Sequence, residues 1–129
     1  SMPLEIKIKQ SLDAANRGAV TVELAGSLDT ATAPELERQL APILDTAVTD
    51  LIFDLVDLKF LSSAGLRVFA TARKRLKERG GQASFIHMQP QIHEVFEIIK
   101  ALPGIGVFKS LAEMDDYLTA RQRRHTEGS

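Results

Sequence analysis

The chain has no cysteine. That excludes disulfides, thiolate metal sites and thiol catalysis, and it suits a cytoplasmic protein, where structural disulfides are rare. Tryptophan is also absent and aromatic residues make up only 5% of the sequence, so an aliphatic core of Leu, Ile, Val and Ala is expected. No apolar run reaches the ~18 residues of a membrane span, so no membrane insertion is expected. The opening SMPLEIKIKQ lacks the basic and apolar regions of a secretory signal, and Ser1 ahead of Met2 reads as a remnant of tag cleavage. An excess of one charge is missing too. Lys and Arg number 16 against 17 Asp and Glu, a formal net charge of -1. A chain without a basic excess is poorly equipped to neutralise phosphates, so a nucleic-acid partner is not expected.

What is present fits one domain. A chain of 129 residues buries a sizeable core without staples. Leu4, Ile6 and Ile8 alternate with Glu5, Lys7 and Lys9, the period of a half-buried strand. Asn16-Arg17-Gly18 marks a turn and Ala19–Leu24 a second, β-branched strand, which together predict an antiparallel hairpin. A helix is predicted from Thr32 or Ala33, with Pro34 in its first turn and an apolar stripe of Leu36, Leu40, Ile43 and Leu44. Pro42 should kink or shorten it. Asp50–Leu58 holds the unbroken run Leu51-Ile52-Phe53 and reads as a central strand covered on both faces.

A long helix is predicted over Leu66–Arg79. Leu66, Phe69, Ala70, Ala72 and Leu76 face inward, while Lys74, Lys77, Glu78 and Arg79 face water. Gly80-Gly81 stops it. Ala83–Met88 is a fourth strand, and Gln91–Leu102 is a third helix with Ile92, Val95, Phe96 and Ile99 inward. Val107-Phe108 reads as a short edge strand, and Leu111–Arg121 as a last helix packing Leu111, Met114, Tyr117 and Leu118. Residues 121–129, RQRRHTEGS, read as a flexible polar tail, leaving the domain over 3–120. The expected fold is α/β, in the order β-β-α-β-α-β-α-β-α, with a mixed sheet of four to five strands and helices packed on it.

Catalytic signatures are scarce. His87, His93 and His125 lack the spacing and carboxylate partners of a metal site, so no metal is expected. Neither a Walker pattern nor G-x-G-x-x-G follows a strand, and Gly104-Ile105-Gly106 reads as a helix stop. Ser63 lacks the G-x-S-x-G elbow of a hydrolase nucleophile. Arg121, Arg123 and Arg124 sit where a helix end carries solvated cations.

One segment stands out, Asp54-Leu55 through Phe60-Leu61-Ser62-Ser63-Ala64-Gly65-Leu66-Arg67. A buried strand runs into a loop that brings two hydroxyls to the start of a long helix. Helix starts need acceptors for free N–H groups, so Ser62 or Ser63 can serve simply as a cap. The same N–H groups and dipole also suit an anion, so a phosphoserine is tolerated there.

With this segment in view, the sequence resembles the STAS domain of bacterial anti-sigma factor antagonists, from about Leu4 to Leu118. Val22-Glu23-Leu24-Ala25-Gly26-Ser27-Leu28-Asp29 is similar to that family's strand and loop ending in an acidic residue. Phe60–Leu66 is similar to its Asp-Ser-Ser/Thr-Gly-Leu signature, and Gln89-Pro90 with Val95-Phe96 to a later segment. In the family the first serine is phosphorylated, and aligning Gly65-Leu66 puts that role on Ser63. Two positions depart from the signature: Ser62 replaces the acidic residue and Ala64 the second hydroxyl.

The resemblance implies a non-enzymatic partner switch. The unphosphorylated chain would bind an anti-sigma factor serine kinase and free a sigma factor. Phosphorylation at Ser63 would dissociate it, and a metal-dependent PP2C-type phosphatase would restore it. ATP belongs to the kinase, so no cofactor is expected on this chain. The binding surface would span the Gly26–Thr32 loop, the Leu61–Arg67 segment and the Met88–Gln91 loop, with Asp29, Thr30, Ser62, Ala64, Gly65 and Arg67 as contacts. Asp29 can equally be a pre-helix turn residue. A monomer or weak dimer is expected. Two other readings compete: a STAS subunit regulating a larger assembly, such as a lipid transporter or stress-signalling complex, without phosphorylation; and a small hydrolase using Ser63, which needs a base within reach of that hydroxyl.

Overall fold

Alternation along the first two strands decides which face of the sheet is covered. The computed structural model describes residues 3–15 and 17–127. Strand β1 (Leu4–Leu12) pairs antiparallel with β2 (Gly18–Leu28), as the hairpin pattern predicts. Asn16 of the expected turn, and Ser1, lie outside the described residues. Helix α1 (Ala33–Leu44) leads to β3 (Asp50–Leu61), which lies parallel to β2. Helix α2 (Ser63–Lys77) leads to β4 (Gln82–Ile86), parallel to β3. Helices α3 (Pro90–Ala101) and α4 (Leu111–Glu127) complete the chain, and the sheet order is β1-β2-β3-β4. Among the described residues no helix is long and apolar enough to cross a membrane.

Register aligns one residue from each strand in a row: Ile8 opposite Val22, Val22 opposite Phe53, Phe53 opposite Phe85. This face carries the core, with Val20, Val22, Leu24, Leu51, Phe53 and Leu55 all buried. The alternate residues point the other way. Lys9 there pairs with Glu23 at 3.1 Å, and Ile52 is only half-buried. β3 is therefore fully covered on one face rather than two. The core is aliphatic, as composition suggests, with Phe53 and Phe69 its only fully buried aromatic residues among those described. Phe53, Phe69, Phe85 and Phe96 form one cluster with neighbouring ring centroids 4.8 to 5.2 Å apart, joining the sheet to α2 and α3.

Several boundaries differ from the sequence reading. β2 runs on to Leu28, through register shifts beside Gly26. Gly26 takes φ +97°, and a Cβ there would lie 1.9 Å from the Pro3 carbonyl oxygen, so only glycine lets β1 approach. Pro42 sits inside α1, which continues two residues beyond it to Leu44. Val107-Phe108 is not a strand. A short 3-10 turn covers Ile105–Val107 instead. An apolar pair bracketed by Gly106 and the polar Lys109-Ser110 is too short to hold a ladder. On α2, Ala70 is exposed and Val68 is buried. Arg79 does not merely face water. Its guanidinium donates to the carbonyls of Leu44, Thr46 and Val48, and Arg75 donates to Leu44 O at 3.1 Å. Cations thus meet the carbonyls at the end of α1, where no basic residue of α1 itself is present.

The largest difference is at the C-terminus. The chain expected to fray from Arg121 is helical to Glu127, and Gly128 and Ser129 lie outside the described residues. Gln122 is 3% exposed and so belongs to the interior. Leu111 and Tyr117, expected to pack inward, are 44% and 42% exposed, while Met114 and Leu118 are buried.

Candidate functional site at the β3–α2 junction

Parallel strands deliver their loops to one edge of the sheet. β2, β3 and β4 run in the same direction, so the loops leaving their C-terminal ends lie at the same edge. These are the segments before α1, α2 and α3, and they hold the residues singled out from the sequence.

Asp29 orders the first loop. Its Oδ1 accepts N–H bonds from Ala31 at 3.0 Å and Thr32 at 3.1 Å, an Asx turn that sets the start of α1. Thr32 Oγ1 donates to Ser27 O at 2.8 Å. Asp29 is half-buried, whereas Thr30 at the tip is exposed.

The second loop is shorter than a loop. β3 ends at Leu61 and α2 begins at Ser63, with Ser62 alone between them in an extended conformation. Ser62 N–H donates to Leu28 O at 2.9 Å, tying the ends of β2 and β3 together. Neither serine caps α2 with its side chain. Ser62 Oγ is buried with no hydrogen-bond partner among the described residues. Ser63, 7% exposed, donates its N–H to Asp115 Oδ1 at 2.7 Å and its hydroxyl to Asp115 Oδ2 at 2.8 Å. The acceptor that a local serine was expected to supply comes from α4, more than fifty positions along the chain.

A second side chain from α4 completes this grip. Gln122 Oε1 accepts the Leu61 N–H at 2.9 Å, and its Nε2 donates to Leu61 O at 2.8 Å. The amide thus pairs with the end of β3 as a neighbouring strand would, satisfying two buried backbone groups. Asp115, Leu118 and Gln122 follow i, i+3, i+7 spacing and share one helix face. Sequence reasoning missed Asp115 and Gln122. The available signal was two polar residues on the face that buries Leu118.

Gly65 explains how α2 can start so close to the sheet. A Cβ there would lie 2.6 Å from both Leu28 Cγ and Leu61 Cδ1. Gly65→Ala should therefore destabilise the fold by about 1–3 kcal/mol through overpacking. Urea unfolding checks this: the midpoint should fall with little change in slope. Ala64 is half-buried, Arg67 is exposed, and Leu66 lines a groove of about 360 Å³ between α2, α3 and α4. Arg67, Phe69, Phe96 and Met114 also line it.

The third loop is tied to β3. Gln89 Nε2 donates to Val56 O at 2.7 Å and Gln91 Nε2 to Lys59 O at 3.1 Å. His87, just after β4, adopts φ +60° and places Nδ1 3.1 Å from Asp54 Oδ1. His93 is exposed on α3. His125 lies on α4, with Nε2 3.4 Å from Glu94 Oε1. Arg121 donates to both Glu94 oxygens at 3.2 Å and holds that carboxyl below its ordinary range. This tie between α3 and α4 is complete above the usual carboxylate range and is lost as pH falls through the lowered value.

Electrostatically, the junction holds an anion. α2 has no acidic residue in its first turn. The Asp115 carboxylate takes that place, where the helix dipole and the Ser63 N–H both favour negative charge. The group receiving the Ser63 hydroxyl is a carboxylate, so the arrangement differs from a serine–histidine pair. Among the described residues, no three His, Cys, Asp or Glu side chains converge as a metal site would require.

Comparison with known proteins places this architecture. Residues 8–114 match the family model for the STAS domain. A stretch of 48 residues, 37% of this chain, is 40% identical to BtrV of Bordetella bronchiseptica, to which anti-sigma factor antagonist function is ascribed. The match spans 41% of that protein's length. The fold is similar to the anti-sigma factor antagonist SpoIIAA in its unphosphorylated form, with TM-score 0.61 and 20% identity over 73% of this chain and 83% of that one. The phosphorylated form of this Bacillus protein gives 0.58 and 20% over 73% and 82%. An anti-sigma factor antagonist from Mycobacterium paratuberculosis gives 0.54 and 21% over 92% and 94%.

Proposed function

We propose that this chain, which belongs to the STAS domain family, is an anti-sigma factor antagonist switched by phosphorylation of Ser63. One observation carries the proposal: the Ser63 hydroxyl lies at the N-terminus of α2, in a place that already accommodates an anion. The names of BtrV and SpoIIAA, and the two phosphorylation states of SpoIIAA, support it.

In this account the partner is an anti-sigma factor with serine kinase activity. The unphosphorylated chain binds it and frees a sigma factor in the cytoplasm. Thr30 and Arg67, both exposed, are its polar contacts, with Asp29 and Ala64 at the edge of the same surface. Ser62 and Gly65 are buried and act from beneath by holding the loop in shape. A phosphoryl group on Ser63 adds a charge of about -1.5 to -2 and ends binding. A PP2C-type phosphatase resets the chain. The chain acts by binding and contributes no catalytic group or cofactor.

Burial of Ser63 favours a second reading, a STAS subunit of a larger assembly that is never phosphorylated. There Ser63 only joins α2 to α4. Incubation with the anti-sigma kinases of the same organism and ATP, followed by peptide mass analysis, separates the two. One phosphate on Ser63, absent from Ser63→Ala, is expected. No phosphate with any candidate kinase, while a partner still binds, would favour the subunit.

A further inference from the structure

Asp115 fills the position that a phosphoryl group on Ser63 would need. Its two oxygens take both hydrogens that Ser63 offers, N–H at 2.7 Å and Oγ–H at 2.8 Å. Asp115 is carried by α4, whose other anchors lie on either side: Met114 and Leu118 are buried, and Gln122 is paired to Leu61.

We propose that Asp115 is a built-in competitor for the N-terminus of α2, and that α4 moves when Ser63 becomes charged. With Asp115 in place, Ser63 is 7% exposed and its hydroxyl is engaged, so a kinase reaches it only after Asp115 swings out. Transfer then forms an Oγ–P bond and breaks the bond between the terminal phosphorus of ATP and ADP. ADP leaves with the electron pair, and the hydroxyl proton passes to a base of the kinase. The product has no Oγ–H left to donate. Phosphate oxygens and the Asp115 carboxylate repel each other, and the α2 N–H groups hold one anion, not both. Asp115 stays out, and the first half of α4, from Leu111 to Leu118, loses its tie to α2. The second half keeps the Gln122 and Arg121 contacts and stays docked. The switch therefore changes shape on the α4 side as well as charge at the loop.

The biological use of this coupling rests on Ser63 being the phosphoacceptor, but the coupling can be tested without a kinase. Amide hydrogen exchange would be followed in the wild type, Ser63→Ala, Ser63→Glu and the double variant Ser63→Glu/Asp115→Asn. Peptides from Leu111 to Leu118 should exchange about tenfold faster in Ser63→Glu. They should return to within about threefold of the wild type in the double variant, where the neutral amide at position 115 no longer repels the new charge. Unchanged exchange in Ser63→Glu, or no rescue by Asp115→Asn, would overturn the inference. Should Ser63→Glu not fold, the chain's lack of cysteine supplies another readout. The lone thiol of Ser63→Cys should react with iodoacetamide about tenfold faster, per thiolate, when combined with Asp115→Ala. Equal rates would overturn the inference. If the coupling holds but no kinase modifies Ser63, the phosphoacceptor reading alone fails.

Discussion

Ser63→Glu should weaken binding of the anti-sigma kinase by about 100-fold or more, or roughly 2.7 kcal/mol, while Ser63→Ala should bind within about threefold of the wild type. The asymmetry follows from position. Ser63 is buried at the point where β3 enters α2, four residues before exposed Arg67 and at the same sheet edge as the loop that carries exposed Thr30. A carboxylate placed there cannot share the α2 N-terminus with Asp115, so one of the two charges must emerge at the surface. Charges without a complement at an interface cost several kcal/mol. Alanine adds no charge and gives up one hydrogen bond to a carboxylate, worth about 1.5–3 kcal/mol to the fold and nothing directly to the interface. Calorimetric titration of each variant against the kinase checks this. Equal affinity for Ser63→Glu and wild type would remove the charge switch.

The second large effect concerns a residue far along the sequence. Gln122→Leu should destabilise the domain by about 2–6 kcal/mol, because the Leu61 N–H and C=O are left buried without partners at about 1–3 kcal/mol each. That is a substantial part of the ~5–15 kcal/mol that holds an ordinary domain folded. Arg123→Ala, one residue on and exposed, should stay within about 0.5 kcal/mol. Chemical denaturation of both variants separates a docked helix end from a frayed tail. If the two are equally mild, Gln122 contributes nothing and the end of α4 is not part of the fold.

Period and punctuation carried much of the fold. The alternation of Leu4, Ile6 and Ile8, Pro34 inside the first turn of α1, and the stripe Phe69, Ala72 and Leu76 each appear in the structure where local chemistry places them. Residues before α1, α2 and α3 also meet at one edge, as parallel strands require. What escaped reading was tertiary. The string RQRRHTE looks like solvated tail by charge, yet Arg, Gln and Glu are good helix formers, and one amide among them finds the end of β3. Asp115 is one of four acidic residues on the last helix, with Glu113, Asp116 and Glu127, and nothing local distinguishes it. Only the packing of α4 against the β3–α2 junction selects it. The helical period of α2 points Arg79 to solvent for the same reason. Its partners are carbonyls at and beyond the end of another helix, which no helical period reveals. Ser62 shows the converse. Position alone suggests a cap, and its hydroxyl has no partner among the described residues.

The most direct test of partner switching is release of the sigma factor itself. A preformed complex of anti-sigma kinase and sigma factor would be titrated with this chain, unmodified or phosphorylated at Ser63, and free sigma factor measured. Release in proportion to the unmodified chain, and none by the phosphorylated chain, is the predicted result. Equal release by both forms, or no release by either while the kinase still binds the chain, would contradict it.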